Sequence, residues 1–349
     1  MHSFADREAG LPLSATWLMN AISEYKGKQE LYAHQSPQIL KTLMEMALIE
    51  SAESSNRIEG VTVGRDRLKP LVIGHARPRD RSEEEIAGYR KALDWVHTKH
   101  ENLETSPRTI LELHRLSRGG AGDAGQWKKK DNEIVRKNPD GTMEVIFRTT
   151  PAAETPKAIE QLCRFYRHGV DQSKSPPLYA IACLVLDFLC IHPFRDGNGR
   201  VSRLLTILAL YHHGYTVGKY ISLERVVEQS KETYYESLNK SSQGWHDEKH
   251  DIVPWLNYFL GTVLAAYKEL EERAARLRPE RGAKTSLIKK AIDSQAGEFT
   301  LADIMQACPG VSREMVKLVL RERARENKIL CLGRGQSARW KHTRPLNPI

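Results

Sequence analysis

The stretch that most constrains this chain is an apolar run, residues 178–191, broken by His192-Pro193-Phe194-Arg195-Asp196-Gly197-Asn198-Gly199-Arg200 and followed at once by Val201-Ser202-Arg203. The run is apolar on all sides except at Asp187, which predicts a helix buried in a core rather than one lying on a surface. A second apolar run, 201–211, carries arginine near its start and meets Gly214 just past its end, so a second buried helix is expected. His192 then sits at the mouth of the first helix. A tight loop joins it to the second.

That loop has the composition of an anion site. Gly197 and Gly199 permit backbone angles that gather N–H groups into one concavity, and the following helix adds its free amides and positive dipole end. Arg200 and Arg203, three apart, are expected on one face beside this nest, with guanidinium forks suited to phosphate oxygens. Asp196 makes sense beside phosphates if it carries a magnesium ion that bridges them. His192, with an ordinary pKa of ~6.5, is mostly neutral at neutral pH and can take a proton from an attacking hydroxyl.

The string resembles the signature of the Fic (Fido) family, His-Pro-Phe-x-Asp-Gly-Asn-Gly-Arg-x-x-Arg, with every defining position filled. The resemblance implies a mostly α-helical fold: a Fic helical core with a small β-hairpin flap. It implies a protein adenylyltransferase that moves AMP from ATP to a Ser, Thr or Tyr hydroxyl of a target protein or of itself. His192 is then the catalytic base, Asp196 holds Mg²⁺, and Gly197, Asn198, Gly199, Arg200 and Arg203 bind ATP. Removal of AMP, transfer of another phosphate-containing group, and a DNA-binding regulator with a nucleotide-sensing core are the alternatives.

The resemblance extends over residues 39–260. Ser55-x-x-x-Glu59-Gly60 is similar to the family's inhibitory motif, in which the glutamate pairs with the second arginine of the signature, here Arg203, and acts as a brake. Tyr235, in Ser230-Lys231-Glu232-Thr233-Tyr234-Tyr235, is the expected purine contact; many relatives place an asparagine near the end of that helix, where this chain has Ser241-Ser242-Gln243. The segments 125–128 with 134–135, and 143–147, read as short strands about the turn Asn138-Pro139-Asp140-Gly141. In the family such a flap pairs with the target's backbone, a mode that leaves the target's identity open. Residues 147–156 depart from the histidine- and proline-rich stretch of relatives.

A capped helix is expected at 81–96, opened by Ser82 with Glu85 placed for a capping box, a helix from Pro107 in which His114 packs, and a short helix near 16–25. The organisation expected is an N-terminal helical region with the inhibitory helix (1–106), a catalytic core (107–262), the end of a linker helix (263–282) and a C-terminal winged helix (283–349). Of the net charge of +9, this last segment carries a surplus of seven, thirteen Lys and Arg against six Asp and Glu. Its third helix bears Arg313, Lys317, Arg321, Arg323 and Arg325, and Arg334 marks the wing tip, a pattern suited to DNA phosphates or to a protein partner. A homodimer is also compatible. Five cysteines without paired spacing, no basic-then-apolar leader and no run long enough to span a bilayer point to the cytoplasm.

Overall fold

The structure, a computed structural model, describes residues 10–35, 37–74, 76–137, 140–171, 175–277, 283–295, 297–308, 311–333 and 338–343. Its contacts divide it into two units, Met1–Arg276 and Leu277–Ile349. The first contains α1 (Leu13–Gln35), α2 (Pro37–Ile58), α3 (Arg65–Val72), α4 (Arg81–Lys99), α5 (Pro107–Ser117), β1 (Glu133–Lys137), β2 (Met143–Arg148), α6 (Thr155–Asp171), α7 (Pro177–Ile191), α8 (Asn198–His212), α9 (Leu223–Gln229), α10 (Lys231–Ser242) and α11 (Val253–Leu277). The second contains α12 (Ala283–Asp293), β3 (Phe299–Thr300), α13 (Leu301–Ala307), α14 (Arg313–Arg325), β4 (Ile329–Leu332) and β5 (Arg339–His342).

α7 is the centre of the first unit. Leu184, Leu186, Phe188 and Ile191 are buried with nearly all of the helix, each apolar side chain contributing ~1.5–3 kcal/mol. Its one charge, Asp187, accepts the Trp245 indole N–H at 2.6 Å, which answers part of the cost of burying it. α7 packs on α6 and α8, and α8 on α5. β1 and β2 form a two-stranded antiparallel hairpin, pairing Glu133 with Arg148 and Lys137 with Met143, with an irregularity between Ile134 and Val135.

Several elements differ from the sequence expectation. α1 runs well beyond 16–25; its buried Ala15 and Ile22 lie seven apart on a face too sparse to show as an apolar stripe. α4 is capped by Asp80, which accepts the Glu83 N–H, while Glu85 is drawn to buried arginine. Residues 125–128 are not a strand: they form a loop beneath His192. Asn138 and Pro139 of the hairpin turn lie outside the described residues.

The second unit has its own core, built from Ile288, Ile292, Phe299, Ile304, Val316, Val319, Leu320 and Ile329. Its strands form a three-stranded antiparallel sheet in the order β3-β5-β4. Arg323 departs from its expected place on an open helix face: it is buried and paired with Asp293, because it falls on the side of α14 that carries Val316, Val319 and Leu320. Arg313, Arg321 and Arg325 are exposed, whereas Lys317 pairs with Glu314 and Arg334 lies outside the described residues. Among the described residues no helix is long and apolar enough to cross a membrane.

Candidate active site

His192 ends α7 in the left-handed conformation (φ 52°, ψ 61°), its N–H donating to Phe188 O at 3.0 Å. A non-glycine residue pays ~1–2 kcal/mol to sit there, so surrounding structure holds it. The half-buried ring has Nδ1 3.2 Å from Leu189 O. A carbonyl only accepts, so Nδ1 carries the proton, and the neutral ring keeps its lone pair on Nε2. Burial pushes the imidazole down to about 4; the Leu189 carbonyl opposes that, the Lys128 charge adds to it, and Glu59 and Asp196 oppose it.

Gly197, at φ 86°, makes the turn that starts α8. Val201 N–H is the first to bond back into the helix, on Gly197 O at 3.0 Å, so the amides before it have no carbonyl one turn behind them. Asn198 is buried and uses both ends of its side chain on Phe194, accepting its N–H at 2.9 Å and donating to its carbonyl at 2.8 Å. The resemblance implies a phosphate contact for Asn198; here it braces the loop.

Arg203 reaches across to the N-terminal helices. Its Nε donates to Ser55 Oγ (2.9 Å), and Nη2 donates to Ser55 O (2.8 Å) and to Glu59 Oε1 (2.8 Å). Its Nη1 is buried with no hydrogen-bond partner among the described residues. Two bonds close α2 just beyond Ile58, Gly60 N–H to Arg57 O and Val61 N–H to Asn56 O, and set Glu59 over the glycine loop. A Cβ on Gly199 would lie 2.2 Å from Glu59 Oε1 and 3.1 Å from Arg203 Nη1, so only glycine leaves room for this approach. Glu59 and Arg203 meet within one chain.

Arg200 behaves differently from its expected partnership with Arg203. It is almost fully buried, and Nη1 donates to Glu85 Oε2 (2.7 Å) and Asn56 Oδ1 (3.4 Å). Three residues are about 60° short of a whole turn, enough to send Arg200 toward α4. Asp196 is half-exposed; Arg118 Nη1 donates to its Oδ2 at 2.6 Å, and Arg200 (3.6 Å) and Arg81 (3.9 Å) lie near. No group of three His, Cys, Asp or Glu side chains that could hold a metal exists among the described residues. Asp196, paired with Arg118 through Oδ2 and half-exposed, leaves Oδ1 as the oxygen that would meet a magnesium ion taking most of its ligands from phosphates and water.

His192, Gly199, Arg203, Glu59 and Tyr235 line one cavity of about 730 Å³, closed by Ile134, Val135, Ile146 and Phe147 of the hairpin, and by Tyr234 and Asn239 of α10. That volume lies within the usual range for small-molecule sites. Tyr235 is partly exposed, edge-on to buried Tyr234 at 5.1 Å between centroids. Asp196 opens instead onto a neighbouring groove of about 1170 Å³. Ser55, Asn198 and Arg200 lie buried behind these surfaces.

Residues without a recognisable sequence signal support the loop. Buried His114 stacks on Phe194 (3.7 Å, 8°), accepts Gly125 N–H on Nδ1 (3.0 Å) and places Nε2 3.1 Å from Asp196 O, so its tautomer is fixed too. Burial pushes its pKa down to about 4. Arg118 and Lys128 hold the loop from the same side.

The Fic/DOC family profile matches residues 104–210. The chain is 24% identical over 234 residues to "Protein adenylyltransferase Fic" of Drosophila grimshawi, covering 64% of this chain and 43% of that protein. It is 25% identical over 232 residues to the protein of the same name from Nematostella vectensis, covering 63% and 48%. It thus spans less than half the length of these curated relatives. A Fic family protein from Desulfovibrio desulfuricans G20 superposes with a TM-score of 0.65 at 21% identity, covering 98% of this chain and 100% of the other.

Proposed function

The chain belongs to the Fic/DOC family, and from that premise we propose that it transfers AMP from ATP to a hydroxyl of a protein. The observation that carries this reading is that His192, whose Nε2 keeps the ring's lone pair, and Arg203, whose buried Nη1 has no hydrogen-bond partner among the described residues, line one cavity. The relatives' name, protein adenylyltransferase, favours AMP as the group moved. Tyr235 and the hairpin enclose the nucleoside end, while the α8 amides and Arg203 Nη1 receive phosphate oxygens.

His192 Nε2 takes the proton from the target hydroxyl as its oxygen bonds to the α-phosphorus, and the bond to the diphosphate breaks. The loop amides balance charge on the α-phosphoryl oxygens, positioned by Asn198. Asp196, with the diphosphate oxygens, would hold Mg²⁺, which supplies charge neutralisation at the leaving group. Glu59 occupies Arg203 and excludes the terminal phosphate, a brake applied in cis. Arg200 contributes by fixing α8 against α4. The five cysteines, odd in number and without paired spacing, suit a reducing cytoplasm.

Incubation of the wild type and Glu59→Gly with α-labelled ATP and Mg²⁺, with and without cell lysate, should leave AMP on protein, seen by mass, and more of it with Glu59→Gly. Loss of AMP from premodified protein, or label only from another donor, would replace this reading with one of the alternatives above.

For the second unit we propose a winged helix that contacts DNA phosphates through Arg313, Arg321 and Arg325. In gel shifts with the whole chain, Arg313→Ala with Arg321→Ala should reduce the salt slope of duplex binding by about 2, near one for each phosphate left unneutralised. An unchanged slope, or no binding by the wild type at low salt, removes DNA as the partner.

A further inference from the structure

Lys128 is buried beneath the active-site loop and forms no ion pair among the described residues. Its Nζ donates to Asn132 Oδ1 (2.8 Å), Thr149 Oγ1 (2.8 Å) and Ile191 O (3.1 Å), and its backbone N–H donates to Pro193 O (2.9 Å). One residue therefore grips the carbonyls on both sides of His192. Asn132 Nδ2 adds a bond to Phe194 O (3.1 Å), and Thr149 Oγ1 reaches Asn132 O (2.7 Å). Asn132 directly precedes β1 and Thr149 directly follows β2, so the same cluster is the root of the hairpin.

We propose that Lys128 is a positioning residue for His192, which holds the strained histidine in its left-handed conformation, sets a positive charge near the ring, and ties it to the root of the flap. The proposal rests on the reading of His192 as the base. Burying an ammonium among neutral oxygens is costly, and the cost shows in a pKa pushed down to about 8 by burial, against the pull of Asp131. A neutral glutamine could supply a donor here; a charge adds a field at the imidazole. The charges that act on His192 are those of Lys128, Glu59 and Asp196. Lys128 opposes protonation of the ring, and the two carboxylates favour it.

The test uses the whole chain carrying Lys128→Met, with Lys128→Gln as a donor that lacks the charge and Thr149→Val as a variant that keeps the charge but loosens the grip. The His192 ring is titrated by NMR, assigned by the resonance missing in His192→Ala, and transfer kinetics are taken in the Glu59→Gly background. Lys128→Met and Lys128→Gln should raise the His192 pKa by about 0.5 unit or more, and Thr149→Val should leave it in place. Lys128→Met should lower kcat on the order of tenfold or more with little change in KM for ATP. If Lys128→Met does not fold, Lys128→Gln carries the titration and Thr149→Val carries the kcat loss. An unmoved His192 pKa in a folded Lys128 variant, or a full kcat, overturns the proposal. The titration needs no turnover, so a wild type that moves no AMP would sink the adenylyl-transfer reading and leave this arm standing.

Discussion

His192→Ala is expected to lower AMP transfer by ~10²–10⁴-fold, the usual contribution of a positioned base. ATP binding, read by calorimetry, should change less than about threefold, because the phosphates are assigned to the α8 amides and Arg203 rather than to the ring. The pH profile makes the assignment sharper. Burial lowers the His192 pKa from 6.5 to about 4, so the free protein holds the ring as a base throughout the neutral range. The acid limb of kcat/KM for ATP should therefore fall near pH 4, with no loss between pH 8 and 6. A bound triphosphate adds negative charge beside the ring and favours its protonated form, as Glu59 and Asp196 already do, so the acid limb of kcat should lie at higher pH than that of kcat/KM. The reverse order would put His192 away from the phosphates. Tight binding lost together with activity would make His192 a structural residue.

The parts of the site that could be read from the chain are those written in consecutive residues. The apolar runs around His192 became α7 and α8, since helices apolar all round have nowhere to go but a core. The loop's glycines announced its turn, and Gly199 proved to matter for a side-chain approach as well. Arg200 and Arg203 share a spacing that suggests shared work, yet their destinations depend on what α4 and α2 present, which no local pattern encodes. The same holds for Lys128 and His114. His114 meets the Asp196 carbonyl and Lys128 the Ile191 carbonyl, both more than sixty residues away, and backbone groups leave no trace in a sequence. The α1 boundary and the α4 cap failed for a different reason: polar faces and competing caps weaken the local signal.

Glu59→Gly is expected to raise transfer by about 10–100-fold while lowering the melting temperature of the nucleotide-free protein. A charge-assisted hydrogen bond is worth ~1.5–3 kcal/mol, and a phosphate that must displace Glu59 from Arg203 forfeits that much affinity. The stability loss should be ~1–3 kcal/mol. It falls short of the ~3–5 kcal/mol for breaking a fully buried pair because the Glu59 side chain keeps 29% exposure and Arg203 retains Ser55 Oγ and Ser55 O. ATP at a hundred times its Kd returns ~2.7 kcal/mol, so the variant should gain more from nucleotide than the wild type, in which each phosphate gained costs a carboxylate. Withdrawal of α2 as a body is a less economical way to release Arg203. Ser51 donates to Glu224 (2.7 Å), Glu50 pairs with Arg225 (3.1 Å) and Arg273 (3.0 Å), Arg57 with Glu228 (3.0 Å), and Lys231 Nζ donates to Ile58 O (2.7 Å). The brake is therefore expected to lift by movement of the Glu59 side chain, with α2 staying docked. Hydrogen exchange of the α2 amides with and without ATP reads this directly: unchanged protection supports a side-chain brake, whereas exchange released across residues 46–58 by ATP would mean that the whole helix leaves.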